Sequence, residues 1–123
     1  MTMYDDIRKF HEKFGLDYKG PPREIAGALE DFRARFMQEE LDEFCDAESL
    51  EKKLDALVDL VYVALGTAYL YGFDFDEAWR RVHEANMKKV RAQPDGSDSA
   101  RQSMYDVVKP AGWTAPDLSD LTR

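Results

Sequence analysis

Leu54-Asp55-Ala56-Leu57-Val58-Asp59-Leu60-Val61-Tyr62-Val63-Ala64-Leu65-Gly66-Thr67-Ala68 is the stretch that decides the fold. Leu54, Leu57, Val58, Val61, Leu65 and Leu70 recur at helical spacing. The helix they predict starts near Ala47, with Ser49 as a cap, and runs to Gly72, a residue suited to ending it. After Asp59 it is apolar on every side, the pattern of a buried helix. A four-helix monomer rarely encloses one helix completely. The pattern therefore predicts a subunit interface centred on this helix, the alternative being a helix merely well buried in its own chain.

Three further helices flank it. One spans roughly Tyr4 to Phe14, with Ile7, Phe10 and Phe14 inward, and is stopped by Gly15. Gly20-Pro21-Pro22 connects it to a second helix from about Pro22 to Phe44. That helix carries Ile25, Leu29, Phe32, Phe36, Met37, Leu41 and Phe44 on a 3.6-residue period. The fourth begins after Asp74 or Asp76 and reaches about Val90, with Phe75, Ala78, Trp79, Val82 and Met87 inward. No strand pattern or internal repeat stands out. The expected fold is all-α: a four-helix-bundle-like core of helical hairpins, completed by dimerisation, with an irregular C-terminal arm. Residues 1–91 form the helical part. Residues 92–123 form a polar, turn-rich, mobile loop (Gln93 to Ser99) and an extended arm of the same domain.

Composition narrows the function. The 123 residues carry 17 Lys and Arg against 25 Asp and Glu, a formal charge of −8. This disfavours a nucleic-acid polymer or an anionic membrane surface as partner, since both need a basic footprint. It leaves room for a small anion held through a cation. Cys45 is the single cysteine, so no intramolecular disulfide or thiolate zinc cluster is available. Met1 to Phe14 is charged throughout and has no signal-peptide pattern, and the expected compartment is the cytoplasm. The longest uncharged run, Leu60 to Phe73, is 14 residues, too short for a membrane span.

The charge that matters is local. Glu39-Glu40-Leu41-Asp42-Glu43 lies late in the second helix, and Glu40 and Glu43 share a face. By itself such a run reads as a solvated acidic surface. The third helix adds Asp55 and Asp59, four apart on one face, with Asp59 inside its most apolar part. A carboxylate buried there needs a metal or a salt bridge. In an antiparallel hairpin turning around Asp46 to Leu50, Glu40 and Glu43 face Asp55 and Asp59. Four carboxylates make an all-oxygen site, which suits Mg²⁺, or Mn²⁺, rather than zinc or copper. Glu39 or Asp42 is then spare to take a proton from an attacking water, the pattern of metal-assisted phosphate hydrolysis.

A di-iron carboxylate bundle would need Glu-x-x-His pairs, but Arg8 and Arg80 stand three residues before His11 and His83. Downstream, Asn86 and Lys89 share a face near the end of the fourth helix. They read either as ordinary helix-end residues, favoured by the dipole, or as contacts to phosphate and base, with Arg80 and Arg81 as weaker candidates for that role.

These elements resemble the all-α nucleoside triphosphate pyrophosphohydrolase superfamily. This MazG-like group includes phosphoribosyl-ATP pyrophosphohydrolase and the dimeric dUTPases. Its pattern is Glu-x-x-Glu, then Glu-x-x-Asp on the next helix, then Asn and Lys. Glu40 and Glu43 match the first element, with Glu39 as the frequent extra glutamate; Asp59 matches the second; Asn86-Met87-Lys88-Lys89 matches the third. The run from Asp59 to Ala68, the turn Gly72-Phe73-Asp74 and the tail from Lys109 to Leu118 are similar too. One departure stands out: Ala56 occupies the place of the second element's glutamate, and Asp55 is the substitute on the same helical face. The resemblance implies Mg²⁺-dependent cleavage of a nucleoside triphosphate to monophosphate and pyrophosphate, by a homodimer or a dimer-of-dimers tetramer. It implies metal binding by Glu40, Glu43, Asp55 and Asp59, and Glu39 as base or further ligand. Asn86 and Lys89 would contact the substrate, and Tyr62 and Phe36 would line a base pocket.

Overall fold

A computed structural model describes residues 1–123. The chain runs through α1 (Met3–Lys13), α2 (Gly27–Asp46), α3 (Leu50–Tyr71) and α4 (Phe75–Asn86), then β1 (Val90–Arg91), β2 (Val107–Val108) and a 3-10 turn at Ser119–Thr122. The fold is all-α with a bundle-like core. A two-residue antiparallel pairing, Val90 with Val108 and Arg91 with Val107, is the one strand element. It is too short to leave a period-2 signal. The chain forms two compact units, residues 1–76 with 121–123 and residues 77–120. The division falls inside α4.

In the first unit α3 is central, with α1 and α2 packed on it. Its ends are set locally. Ser49 Oγ accepts from the Lys52 N–H at 3.2 Å. At the other end Gly72 takes the left-handed conformation, φ 79°, and its N–H reaches back to Ala68 and Tyr69 carbonyls. A β-carbon at Gly72 would also lie 2.8 Å from the Tyr18 ring and 3.0 Å from the Pro21 carbonyl. α1 is started by a reciprocal capping box between Thr2 and Asp5. Ile7 from α1 packs with Leu65 and Tyr69 of α3, with Tyr4 and Phe75 alongside. His11, also buried, holds the Leu16 carbonyl through Nδ1 at 2.9 Å.

Two helix boundaries differ from the sequence pattern. α2 starts at Gly27 rather than near Pro22, because the preceding segment is engaged elsewhere. The Arg23 N–H donates to Tyr71 O at 2.9 Å and Arg23 Nε to Leu70 O at 3.0 Å, which satisfies the last carbonyls of α3. α4 ends at Asn86 instead of Val90, since the chain turns there into β1. The inward faces differ as well. Trp79 on α4 and Met87 just beyond it are exposed, as are Leu29, Phe32 and Leu41 on α2. The buried residues of α2 are Arg33 and Glu40.

α3 itself is divided. Val63, Leu65, Ala68, Tyr69 and Leu70 are buried, while Leu50, Leu54, Leu57, Val58 and Val61 are exposed. By length and composition α3 is apolar enough to cross a bilayer, which its 14-residue uncharged run does not suggest. Here it packs against two helices and carries Asp55 and Asp59 within its length.

The second unit is tied by polar contacts. Arg81 pairs with Asp120 at 2.6 and 3.0 Å and with Glu77 at 2.7 Å. Asp106 accepts from Ser99, Arg101 and the Val107 N–H, closing the turn-rich stretch after Ala92.

Gly72→Ala should lower the unfolding free energy by about 1–3 kcal/mol, since it combines an unfavourable φ with a collision against backbone. Chemical denaturation reads this directly, and wild-type stability would contradict the account of the α3 terminus.

Candidate metal centre

The α2–α3 hairpin turns at Ala47-Glu48-Ser49. Lys53 fastens its closed end, with Nζ 3.4 Å from Phe44 O and 5.0 Å from the Phe44 ring centroid. Further along, Glu40 and Glu43 of α2 meet Asp59 of α3. One carboxylate oxygen from each lies within 4.8 Å of the others. Glu40 is buried, Asp59 half-buried and Glu43 exposed, so the cluster opens to solvent on one side.

The electrostatics are those of converging carboxylates. Burial, a hydrogen bond with Glu43 and the charges of Glu43, Asp59 and Glu39 push the Glu40 carboxyl up from 4.5 to about 6. Asp59 is also raised, by burial first and then by Asp55 and Glu43. Glu40 Oε2 is buried with no hydrogen-bond partner. A buried acceptor left unmet is unfavourable, and a bound cation would satisfy it. The donor set is all oxygen, which fits a hard divalent cation.

The expected residues divide as follows. Glu40, Glu43 and Asp59 come together. Asp55, the substitute for the missing glutamate, stays outside the cluster: it is exposed and lines a groove of about 470 Å³ over the hairpin turn, with Glu43, Asp46 and Lys52. Four-residue spacing turns Asp55 about 40° from Asp59, enough to carry a short side chain off the seam. Glu39 is exposed next to Glu40. Tyr62 packs edge-on against Phe10 of α1 at 5.2 Å and lines a groove between α1 and α3. Phe36 lies against Phe32 on α2 at 5.8 Å.

In the second unit, Asn86 is the exposed last residue of α4, and its carbonyl accepts from the Lys89 N–H at 3.1 Å. Lys89 Nζ sits 5.2 Å from the Trp113 ring, and Lys109 Nζ 5.1 Å from the same ring. Trp113 Nε1 donates to Ala85 O at 2.7 Å, which fixes the indole. Arg80 and Arg81 are engaged with Glu77, Glu84 and Asp120.

Arg33 was not legible as a buried residue of α2. It is buried on the same α2 stripe, seven residues before Glu40, and the apolar periodicity passes over it in favour of Phe32 and Phe36. The available signal was the stripe Arg33, Phe36, Met37 and Glu40, at helical spacing.

Because the folded-state pKa of Glu40 lies above its ordinary value, its contribution to stability is full below about pH 4.5 and disappears as pH rises through about 6. The metal-free protein should therefore melt at lower temperature at about pH 7 than at about pH 5. Saturating Mg²⁺ should remove that difference, and Glu40→Gln should flatten it. A metal-free melting temperature that rises across this window would contradict the cluster.

The phosphoribosyl-ATP pyrophosphohydrolase model matches residues 7–86. That span contains the α2–α3 hairpin, all three converging carboxylates and α4; Lys89 and the closing tail lie beyond it. No curated protein matches the chain. The matched span holds the α2–α3 hairpin with Glu40, Glu43 and Asp59, though Ala56 stands where the pattern has a further glutamate, and the chain belongs to the phosphoribosyl-ATP pyrophosphohydrolase family, MazG-like hydrolases of pyrophosphate bonds.

Proposed function

We infer that this pyrophosphohydrolase acts on a nucleoside triphosphate with Mg²⁺, or Mn²⁺, held by Glu40, Glu43 and Asp59. The observation that carries the reading is the buried, unpartnered Glu40 Oε2 inside a group of carboxylates no more than 4.8 Å apart. Bound there, the cation would supply charge neutralisation for the phosphates and a more acidic water. The reaction adds water at the α-phosphorus and releases the monophosphate and pyrophosphate. Glu39, exposed beside the cluster, is the group assigned to take the proton from that water. Lys89 and Asn86 are read as contacts to the triphosphate, from this subunit or its partner.

A second substrate, phosphoribosyl-ATP, is favoured by the description of the matched family. Both substrates break the same type of bond, so a panel of nucleoside triphosphates and phosphoribosyl-ATP, assayed for pyrophosphate with and without Mg²⁺, separates them. Release of pyrophosphate from a triphosphate supports the first reading. Release from phosphoribosyl-ATP alone replaces it, and no release from any member defeats both.

The protein is also read as a homodimer, or a dimer of dimers. Leu54, Leu57, Val58 and Val61 form an exposed apolar stripe on α3, continuous with a groove of about 470 Å³ against Met3 and Ile7 of α1. Apolar patches of this kind mark interaction surfaces. The exposed, unpaired thiol of Cys45 fits a reducing compartment such as the cytoplasm.

Glu43→Ala and Asp59→Asn should each reduce kcat/KM by about 10²-fold or more, because each removes a carboxylate from the cation site. Asp55→Ala should cost far less than either, because Asp55 is exposed and lies outside the converging carboxylates. Loss of activity in Asp55→Ala alone would return it to the ligand set. Val58→Asp should convert the protein to monomer by sedimentation, and an unchanged mass would place the interface elsewhere.

A further inference from the structure

Arg33 presents an energetic puzzle. It is only 8% exposed, yet no salt bridge of the protein includes it. Burial depresses its pKa, with no carboxylate to offset the effect. A charge buried without a counter-ion is normally unfavourable. What it does have is directional bonding to α3. Nε donates to Thr67 Oγ1 at 3.1 Å and Nη2 to Val63 O at 2.9 Å. Gly66, between those two residues, makes room for it. A β-carbon there would lie 2.7 Å from Arg33 Nη2 and 2.9 Å from His11 Nε2. Side chains from α1 and α2 thus converge on one notch in α3.

The other polar contacts across the seam lie near its ends, Lys53 Nζ on Phe44 O and Tyr71 OH on Glu30, which leaves Arg33 as the one in its middle. Arg33 and Glu40 are the buried residues of α2. Apolar contacts tolerate sliding, whereas a guanidinium fork bonded to one carbonyl and one hydroxyl does not. Arg33 and Glu40 are seven residues apart, about 10 Å along one face. On α3 their counterparts keep the same antiparallel order, Val63 and Thr67 for Arg33 and Asp59 for Glu40. A slip of one residue would rotate the α2 face by about 100° and take Glu40 away from Asp59.

We propose that Arg33 is a positioning residue for the metal centre: its fork on Val63 and Thr67, seated in the Gly66 notch, holds α2 in the register that brings Glu40 and Glu43 to Asp59. The proposal rests on the reading of that cluster as a cation site. It separates two properties that usually move together. Arg33→Met keeps an unbranched side chain, two heavy atoms shorter, and removes the buried charge. Val63 O would still accept from Thr67 Oγ1, now at 2.8 Å, so no carbonyl is orphaned. Stability should hold or rise while cation binding weakens.

The test is Mn²⁺ titration followed by electron paramagnetic resonance, alongside melting of the metal-free protein. Arg33→Met should bind Mn²⁺ about 10–100-fold more weakly than wild type, the range found for residues that orient metal ligands. Its metal-free melting temperature should equal or exceed that of wild type. Gly66→Ala displaces the guanidinium without removing it and should weaken Mn²⁺ binding in the same direction, which keeps the test open if Arg33→Met does not fold. Arg33→Lys, with one donor group in place of the fork, should recover part of the affinity. Wild-type Mn²⁺ affinity in Arg33→Met, or in Gly66→Ala where Arg33→Met does not fold, overturns the positioning role alone. A metal-free Arg33→Met that melts lower with affinity retained makes Arg33 a stabilising residue only. Failure of the wild-type protein to bind Mn²⁺ overturns the metal centre and the positioning role together.

Discussion

The seam between α2 and α3 is where the protein accepts unfavourable electrostatics. Three carboxylates converge within 4.8 Å, one of them buried with an unmet oxygen. A buried cation two helical turns away has no anion beside it. Neither arrangement serves stability alone, because isolated or like charges removed from water disfavour folding. The remainder of the first unit compensates. Ile7, Leu65 and Tyr69 supply an apolar anchor, and both ends of α3 are capped. The hairpin can therefore hold a seam that would not form on propensity alone.

This division of labour explains the proton-binding behaviour of the cluster. Without a cation, a proton is the available means of reducing repulsion, and Glu40 rises towards neutrality. Cation and proton compete for the same oxygens, so cation binding should release protons. A divalent ion bound there would invert the local sign of charge at the protein's most acidic point. The formal charge of −8 thus describes the chain but not the potential its substrate would meet.

Much of the fold was legible as periodicity and punctuation. Ser49 and Gly72 bound α3 where the sequence places them, since caps act on their own helix ends. The start of α2 was not legible. Arg23 is engaged in closing the end of α3, a partnership between segments far apart in the chain. The inward face of α2 was misread for a related reason. Its helical period permits several apolar stripes, and the one that packs contains Arg33 and Glu40 while Leu29 and Phe32 stay exposed.

For the site, the sequence by itself determined the ligand chemistry: carboxylates at helical spacing on two consecutive helices, joined by a turn short enough to make them antiparallel. It did not determine which carboxylates converge. Asp55 and Asp59 look equivalent at a four-residue spacing, but an α-helix turns 100° per residue, and the seam selects Asp59. Tyr62 meets Phe10 because α1 packs along that side of α3, a contact between helices far apart in the chain. Burial and register are properties of facing helices rather than of either one. The unmet oxygen of Glu40, the raised carboxyl groups and the role of Arg33 therefore became visible only once α2 lay against α3.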